Sequence, residues 1–204
     1  MYMTFFRNFT FCLFFLSGRI ISAGIEYFWS GSLSDQSVVI SVASSSDATI
    51  KVQYSDNKKF RRNTLFSETV RTVPGSNYFS KITLSDLEPA TKYYYRFSVN
   101  GVVNKESNML GEFSTPSSSP FSYKITLATC ANTGSSHPVY DRIREEGSLF
   151  YLMLGDFHYG NIYKDCDDEF LAHYNAALGS IKQSKLYKST PVAYMWDDHD
   201  YGPN

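Results

Sequence analysis

Between Ile25 and Thr115 the chain alternates apolar and polar residues in short runs, with no helical stripe among them. The runs are Ser37–Val42, Ala48–Tyr54, Tyr78–Leu84, Lys92–Asn100 and Gly111–Thr115. A period of two puts one side of a strand in a core and the other in water. Turn residues at Ser44–Asp47, Asp56-Asn57 and Pro74-Gly75 separate the runs. Strands at this spacing predict an all-β sandwich over residues 25–115. The 16 Tyr and 16 Phe support it, because these rings suit pleated, half-buried surfaces.

One segment makes the expectation sharper. Leu87-Glu88-Pro89-Ala90-Thr91-Lys92-Tyr93 has the form L-x-P-x-T-x-Y. It resembles the tyrosine corner of fibronectin type III domains, in which a Tyr at a strand start bonds its hydroxyl back to the preceding loop. By that resemblance Tyr93 is a folding residue. Period two then predicts Tyr95 and Phe97 on the same side as Tyr93, with Tyr94 and Arg96 on the other. Lys58-Lys59 and Arg61-Arg62 form a small basic cluster between two strands, read as a solvated loop.

Residues 116–120, Pro116-Ser117-Ser118-Ser119-Pro120, have linker composition. The pattern then changes. Phe121 to Thr129 reads as a buried strand that ends at Cys130. Asp141 to Gly147 is helix-compatible. Leu149–Leu154 is a continuous apolar run, as in a strand buried on both faces, and stops at Gly155-Asp156. Asp167 to Leu186 carries an approximate helical stripe of Phe170, Leu171, Tyr174, Leu178, Ile181 and Leu186. Its acidic start, Asp167-Asp168-Glu169, suits the positive end of a helix dipole. Thr190–Trp196 reads as a third strand and runs into Asp197-Asp198. Strands alternating with helices predict an α/β layer with parallel strands.

All three strands end in a residue able to bind metal: Cys130, Asp156, and Asp197-Asp198. In α/β sheets ligands gather at the carboxyl ends of strands, so three such ends can converge. In Gly155-Asp156-Phe157-His158-Tyr159 the carboxylate can bridge two ions, and Tyr159 can turn back toward the same point. A phenolate is a hard anionic ligand that favours a ferric ion. Gly155 lets backbone approach without a Cβ. Asp198-His199 adds a carboxylate and an imidazole able to protonate a leaving oxygen. Each residue also has an ordinary use. Cys130 can be a buried thiol or pair with Cys166, Asp156 a turn residue, Tyr159 a packing ring, and Asp197–His199 a polar loop.

Residues 121–204 resemble the start of a metallophosphatase domain of the alkaline phosphatase D (PhoD-like) family. The resemblance is carried by Ala128-Thr129-Cys130, Gly155-Asp156-Phe157-His158-Tyr159 and Trp196-Asp197-Asp198-His199-Asp200. The sandwich before them is similar to the N-terminal domain these enzymes carry. The resemblance implies a phosphate mono- or diesterase using ferric iron with calcium or another divalent metal. It implies Cys130, Asp156, Tyr159 and Asp198 as metal ligands, with Asp156 bridging. Asn204 is a further candidate ligand, and Asp197 is a ligand or supports one. His199 would contact the substrate or transition state. The family also needs histidines from later strands, and His137, His158 and His173 lack the matching context. The expected architecture is therefore a fibronectin III-like sandwich followed by a truncated α/β metallophosphatase-type domain. The competing expectation is an extracellular fibronectin-like binding module with a non-catalytic tail.

Residues 1–23 read as a secretory signal peptide: Arg7, an apolar run from Phe9 to Leu16, then Ser22 and Ala23. The run is shorter than the ~20 residues a membrane span needs, and Arg19 ends it. A buried strand or an uncleaved anchor are the other readings. The expected location is secreted or extracytoplasmic. A net charge of −1 gives no support to a nucleic-acid or membrane-surface binder, and three cysteines cannot build a disulfide framework.

Overall fold

The computed structural model describes residues 24–164 and 166–202. The expected leader and the candidate ligand Asn204 lie outside the described residues. The first half supplies β1 (Ile25–Gly31), β2 (Val38–Ser44), β3 (Ala48–Ser55), β4 (Leu65–Phe66), β5 (Val70–Thr72), β6 (Phe79–Leu84), β7 (Lys92–Val99), β8 (Val102–Val103) and β9 (Gly111–Ser114). β1, β2 and β6 pair antiparallel in one sheet. β3 and β7 form the centre of the other, flanked by β4, β5, β8 and β9.

The alternation closes the sandwich as expected. Ile40, Ile50, Val52, Ile82, Leu84, Tyr95 and Phe97 are fully or almost fully buried between the two sheets. Phe28 meets Phe97 edge to face at 4.8 Å, a favoured aromatic geometry. Tyr93, Tyr95 and Phe97 share the core side of β7, while Tyr94 and Arg96 are half-exposed on the other. The corner is present: the Glu88 amide donates to the Tyr93 hydroxyl at 2.9 Å. Gly111 has a specific reason. A Cβ there would lie 2.2 Å from the Tyr95 ring, so only glycine admits that ring.

The second half supplies β10 (Ile125–Ala128), α1 (Val139–Glu145), β11 (Phe150–Met153), α2 (Asp167–Gly179), α3 (Ile181–Ser189) and β12 (Val192–Tyr194). β10, β11 and β12 are parallel, as alternating strands and helices require. They do not form a sheet of their own. β12 continues onto β1 in parallel through Gly31 and Val192, giving the order β10-β11-β12-β1-β2-β6. Gly31 permits this seam, because a Cβ there would sit 2.8 Å from the Val192 carbonyl oxygen. The helices add a second tie. The Tyr27 hydroxyl donates to Asn175 on α2, and the Lys188 ammonium lies 4.8 Å from the Phe28 ring centre.

Three expectations for this half are corrected. β10 is not buried: Ile125 and Leu127 are 39% and 52% exposed, because β10 is an edge strand. β11 is buried on one face only. Tyr151 and Met153 pack with Tyr140, Leu186 and Tyr187, whereas Phe150 and Leu152 on the other face are half-exposed. The stripe from Asp167 to Leu186 is two helices. Ser180 adopts an extended ψ of 144° between them, which resets the helical phase and leaves Ile181 70% exposed.

Replacing Gly111 by Ala forces a methyl into the Tyr95 ring. The variant should lose about 1–3 kcal/mol of stability by overpacking, read as a lower denaturation midpoint. An unchanged midpoint would show that the Gly111–Tyr95 contact imposes nothing.

Candidate metal centre

The carboxyl ends of β10, β11 and β12 lie side by side. The Leu154 amide donates to the Ala128 carbonyl and the Met195 amide to the Met153 carbonyl, which carries the strand register to the edge of the site. Beyond it, the Cys130 amide bonds the Gly155 carbonyl at 3.2 Å and the Ala131 amide bonds the Asp156 carbonyl at 3.0 Å. Cys130, Gly155 and Asp156 all have positive φ (58°, 99° and 54°). The chain therefore bends sharply just beyond β10 and β11. A Cβ on Gly155 would lie 2.5 Å from the Asp197 Cβ, so glycine is required for the two loops to meet.

After the bend the side chains of the Gly155–Tyr159 loop divide. Phe157 is buried and stacks on Tyr174 and Tyr187, with Tyr194 edge-on. His158 is fully buried between the loop and α2, 5.3 Å from the His173 ring and edge-on to Tyr174 at 4.7 Å. Burial pushes its pKa below the ordinary histidine value, against an opposing pull from Asp200. Gly160 has no Cβ, and one there would strike the His173 ring. With Phe157 and His158 held in this way, Asp156 and Tyr159 face the opposite side. The Tyr159 amide donates to the Thr133 hydroxyl at 2.7 Å, which fixes the end of the loop.

The structure brings Cys130, Asp156, Tyr159, Asp197, Asp198 and His199 into one region. The Cys130 thiol donates to Asp156 Oδ2 at 3.6 Å. Tyr159 lies 4.4 Å from the His199 ring. Asp156, Asp197 and Asp198 each present a carboxylate oxygen within 4.8 Å of the others. Asp156 and His199 are buried, Asp198 half-buried, and Cys130 and Asp197 exposed. Cys130 and Cys166 are both free thiols, so the alternative pairing is not formed. Hydrogen bonding to Cys130 raises the Tyr159 pKa well above the ordinary phenol value, with loss of solvent and the Asp156 carboxylate adding to it.

The polar atoms are left unpaired in an informative way. Asp156 Oδ1, Asp198 Oδ2 and His199 Nδ1 are buried and have no hydrogen-bond partner. A buried polar atom without a partner costs about 1–3 kcal/mol, more when charged. Carboxylate oxygens directed at one point are the donor set of a hard cation. The residues therefore fit a metal ion.

Asp200 had no assigned role in the sequence reading, yet it organises the site. Its carboxylate accepts the amides of Asp156 at 2.8 Å, Phe157 at 2.9 Å and Asp197 at 2.9 Å. Asp197 and Asp200 form a capping box on the 3-10 turn Asp198–Asp200. The signal for this was in the sequence as an acid three residues after a capping acid. Tyr174, itself bonded to the Tyr194 hydroxyl at 2.8 Å, donates to the Asp200 carbonyl at 3.3 Å.

The chain is thus a β-sandwich joined to a parallel α/β layer, with acids converging at the strand ends. Comparison with known proteins agrees. Residues 22–117 match the model of the PhoD-like phosphatase N-terminal domain, and that portion of the chain is such a domain. A solved structure of PhoD superposes with a TM-score of 0.71 at 17% identity, over 86% of this chain and 39% of that one. At that identity the likeness speaks for the fold, and this chain spans 39% of the length of the PhoD chain it matches. A sensor domain of the anti-sigma factor RsgI4 from Pseudobacteroides cellulosolvens (17% identity, TM-score 0.36) aligns with 48% of this chain and 98% of its own. A human fibronectin type III domain (18%, TM-score 0.34) aligns with 48% of this chain and 76% of its own. Likenesses of that size add no argument. No curated protein sequence matches the chain.

Asp200→Ala removes the shared acceptor of three amides. It should lower stability by at least about 2 kcal/mol and speed amide hydrogen exchange at Asp156, Phe157 and Asp197 above the rest of the chain. Asp200→Asn, which keeps one carbonyl oxygen, should fall between. Exchange that rises equally everywhere would remove Asp200 as the local organiser.

Proposed function

We propose that this chain is the N-terminal part of a metal-dependent phosphomono- or phosphodiester hydrolase of the PhoD-like type. In this reading residues 25–115 are the N-terminal domain, residues 116–120 the connection, and residues 121–204 the first portion of the catalytic domain. The leader at residues 1–23 supports a secreted or extracytoplasmic location. Among the described residues no helix is long and apolar enough to cross a membrane.

Cys130, Asp156, Tyr159, Asp197 and Asp198 would hold the metals, with Asn204 as a further ligand. Asp156 suits the bridging position. Cys130 engages one of its carboxylate oxygens and the other is unpaired. A thiolate and a phenolate on one side favour ferric iron. The all-oxygen acids favour calcium or another divalent ion. Metal ions supply a polarised phosphoryl group and an activated water in such sites. His199 is buried beside Tyr159 and has a free Nδ1, so it can give a proton to the departing ester oxygen. Asp200 and Gly155 hold the two acid-bearing loops together.

The observation that carries this reading is the pair of buried, unpartnered oxygens on Asp156 and Asp198. The test is metal binding by the purified chain. Ferric iron supplied as a chelate should give a visible phenolate-to-iron absorption that disappears in Tyr159→Phe. Asp156→Ala should weaken metal binding by more than the 10- to 100-fold typical of outer-shell losses, roughly. Where hydrolysis of a p-nitrophenyl phosphate ester is measurable, His199→Gln should lower it about 10²- to 10⁴-fold with metal content unchanged. Absence of both bound metal and the absorption would leave the extracellular binding-module reading in its place.

A further inference from the structure

The overall charge of −1 conceals a segregated surface. Lys58, Lys59, Arg61 and Arg62 occupy the loop between β3 and β4, and all four are exposed. Among the described residues none of them takes part in an ion pair. The loop does not need their charges to hold its shape. Phe60 donates its amide to the Asn57 carbonyl at 2.8 Å, Ser55 donates to the Arg62 carbonyl at 2.7 Å, and Asn63 donates to Asp56 at 2.8 Å. The loop leans over the outer face of the β3–β7 sheet. The Arg96 guanidinium lies 4.0 Å from the Phe60 ring centre, and the Lys58 ammonium 5.8 Å from that of Tyr94. Lys51 and Lys92 extend the same face. The acids nearby are Glu112, which pairs with Lys92 at 2.9 Å, Asp56, which is bound to Asn63, and Glu68.

Two large apolar side chains follow this loop in the chain. Leu65 and Phe66 on β4 are 55% and 49% exposed. β4 is two residues long and lies at the edge of its sheet. Phe66 pairs with Gln53, which accepts from Arg96 at 2.7 Å. Phe66 and the cationic loop are therefore parts of one surface, whereas Leu65, opposite the core residue Tyr54, points to the other side of this edge strand.

We infer that this surface docks onto an anionic lipid bilayer. The four cations match the headgroup charge, and Phe66 enters the boundary between headgroups and acyl chains. Polar contacts to an anionic polymer would satisfy the cations and leave Phe66 in water. A bilayer takes up both, as it does for interfacial segments that combine basic and apolar groups. The surface lies on the sandwich and uses none of the residues at the candidate metal centre, so the inference stands apart from the proposed hydrolase activity.

The test is sedimentation of the 204-residue chain with vesicles of phosphatidylcholine, with and without phosphatidylserine. Residues 1–23 carry an apolar run of their own, so the readout is the difference between parent and variant chains. Binding to the anionic vesicles should exceed binding to the neutral ones and should fall as salt rises from about 0.05 M to about 0.5 M. Reversing all four charges, Lys58→Glu/Lys59→Glu/Arg61→Glu/Arg62→Glu, should weaken anionic-vesicle binding about a hundredfold or more. The milder Arg61→Gln/Arg62→Gln should weaken it about tenfold or more with the parent melting temperature. Phe66→Ser should weaken it about tenfold at every salt concentration. Equal binding by parent and charge variants would overturn the inference. So would an unaffected Phe66→Ser variant whose binding soluble polyphosphate abolishes, because that outcome assigns the loop to a polyanion.

Discussion

The carboxylate of Asp200 accepts hydrogen bonds from Asp156, Phe157 and Asp197, amides that belong to two different strand ends. Everything proposed for the metal centre depends on that clamp. Asp156 has a φ of 54°, a conformation that a residue with a Cβ holds only when its surroundings over-determine it. Asp200 supplies the determination from one side by fixing the amides of residues 156 and 157. The aromatic cluster supplies it from the other by burying Phe157 against Tyr174, Tyr187 and Tyr194. Between them the loop has one arrangement, in which Asp156 and Tyr159 face the acids that follow β12. An acceptor with less charge would make weaker bonds to the amides, since hydrogen bonds to ionised groups are roughly twice as strong as neutral ones.

The same logic joins the two halves of the chain. A parallel strand pair needs a long crossover, and isolated parallel sheets need cover on both faces. Here β10, β11 and β12 gain support from the sandwich instead. β12 extends onto β1 at Gly31, α2 is bonded to Tyr27, and α3 meets Phe28 through Lys188. Leu186 and Tyr187 are buried in that joint. Tyr95 reaches across it, donating from its hydroxyl to the Lys188 carbonyl at 3.4 Å. The sandwich thus sets the position of α3, α3 covers β11, and β11 carries Asp156. A change at Gly31 or in the β1 aromatics acts on the metal centre through packing, without touching a ligand.

Local chemistry was legible in the sequence, and non-local chemistry was not. The alternating runs predicted β2, β3, β6, β7 and β9 because period two is a property of each strand by itself. The Tyr93 corner was legible because donor and acceptor are five residues apart. The strand ends at Cys130, Asp156 and Asp197-Asp198 were legible because apolar runs stop there. The seam between β12 and β1 was not, since it depends on a missing Cβ at Gly31 meeting a carbonyl 161 positions away. The exposure of β10 was misjudged for a related reason. Apolar content marks a strand, but burial depends on which neighbours cover each face. The break at Ser180 directly follows Gly179, a helix-ending signal that the apolar stripe runs across. Asp200 acts on amides up to 44 residues distant.

Asp156, Asp197 and Asp198 bring carboxylates within 4.8 Å of one another, and a thiol and a phenol stand beside them. Like charges that close disfavour one another, most strongly where burial lowers the dielectric response. The raised pKa of Tyr159 comes first from its hydrogen bond to Cys130, then from loss of solvent, with the nearby charges adding to it. A cation among the acids offsets their repulsion. It matches the unpaired oxygens of Asp156 and Asp198 and favours the ionised forms of Tyr159 and Cys130. The candidate ligands come from three separated strand ends, so they converge only in the folded chain. A metal that binds them is then linked to folding, and stabilises this corner in proportion to its free concentration over its dissociation constant. The geometry that selects the ion and the stability of the loops that hold it are therefore one quantity, and Asp200 together with Gly155 sets the part of it that the protein contributes before any ion arrives.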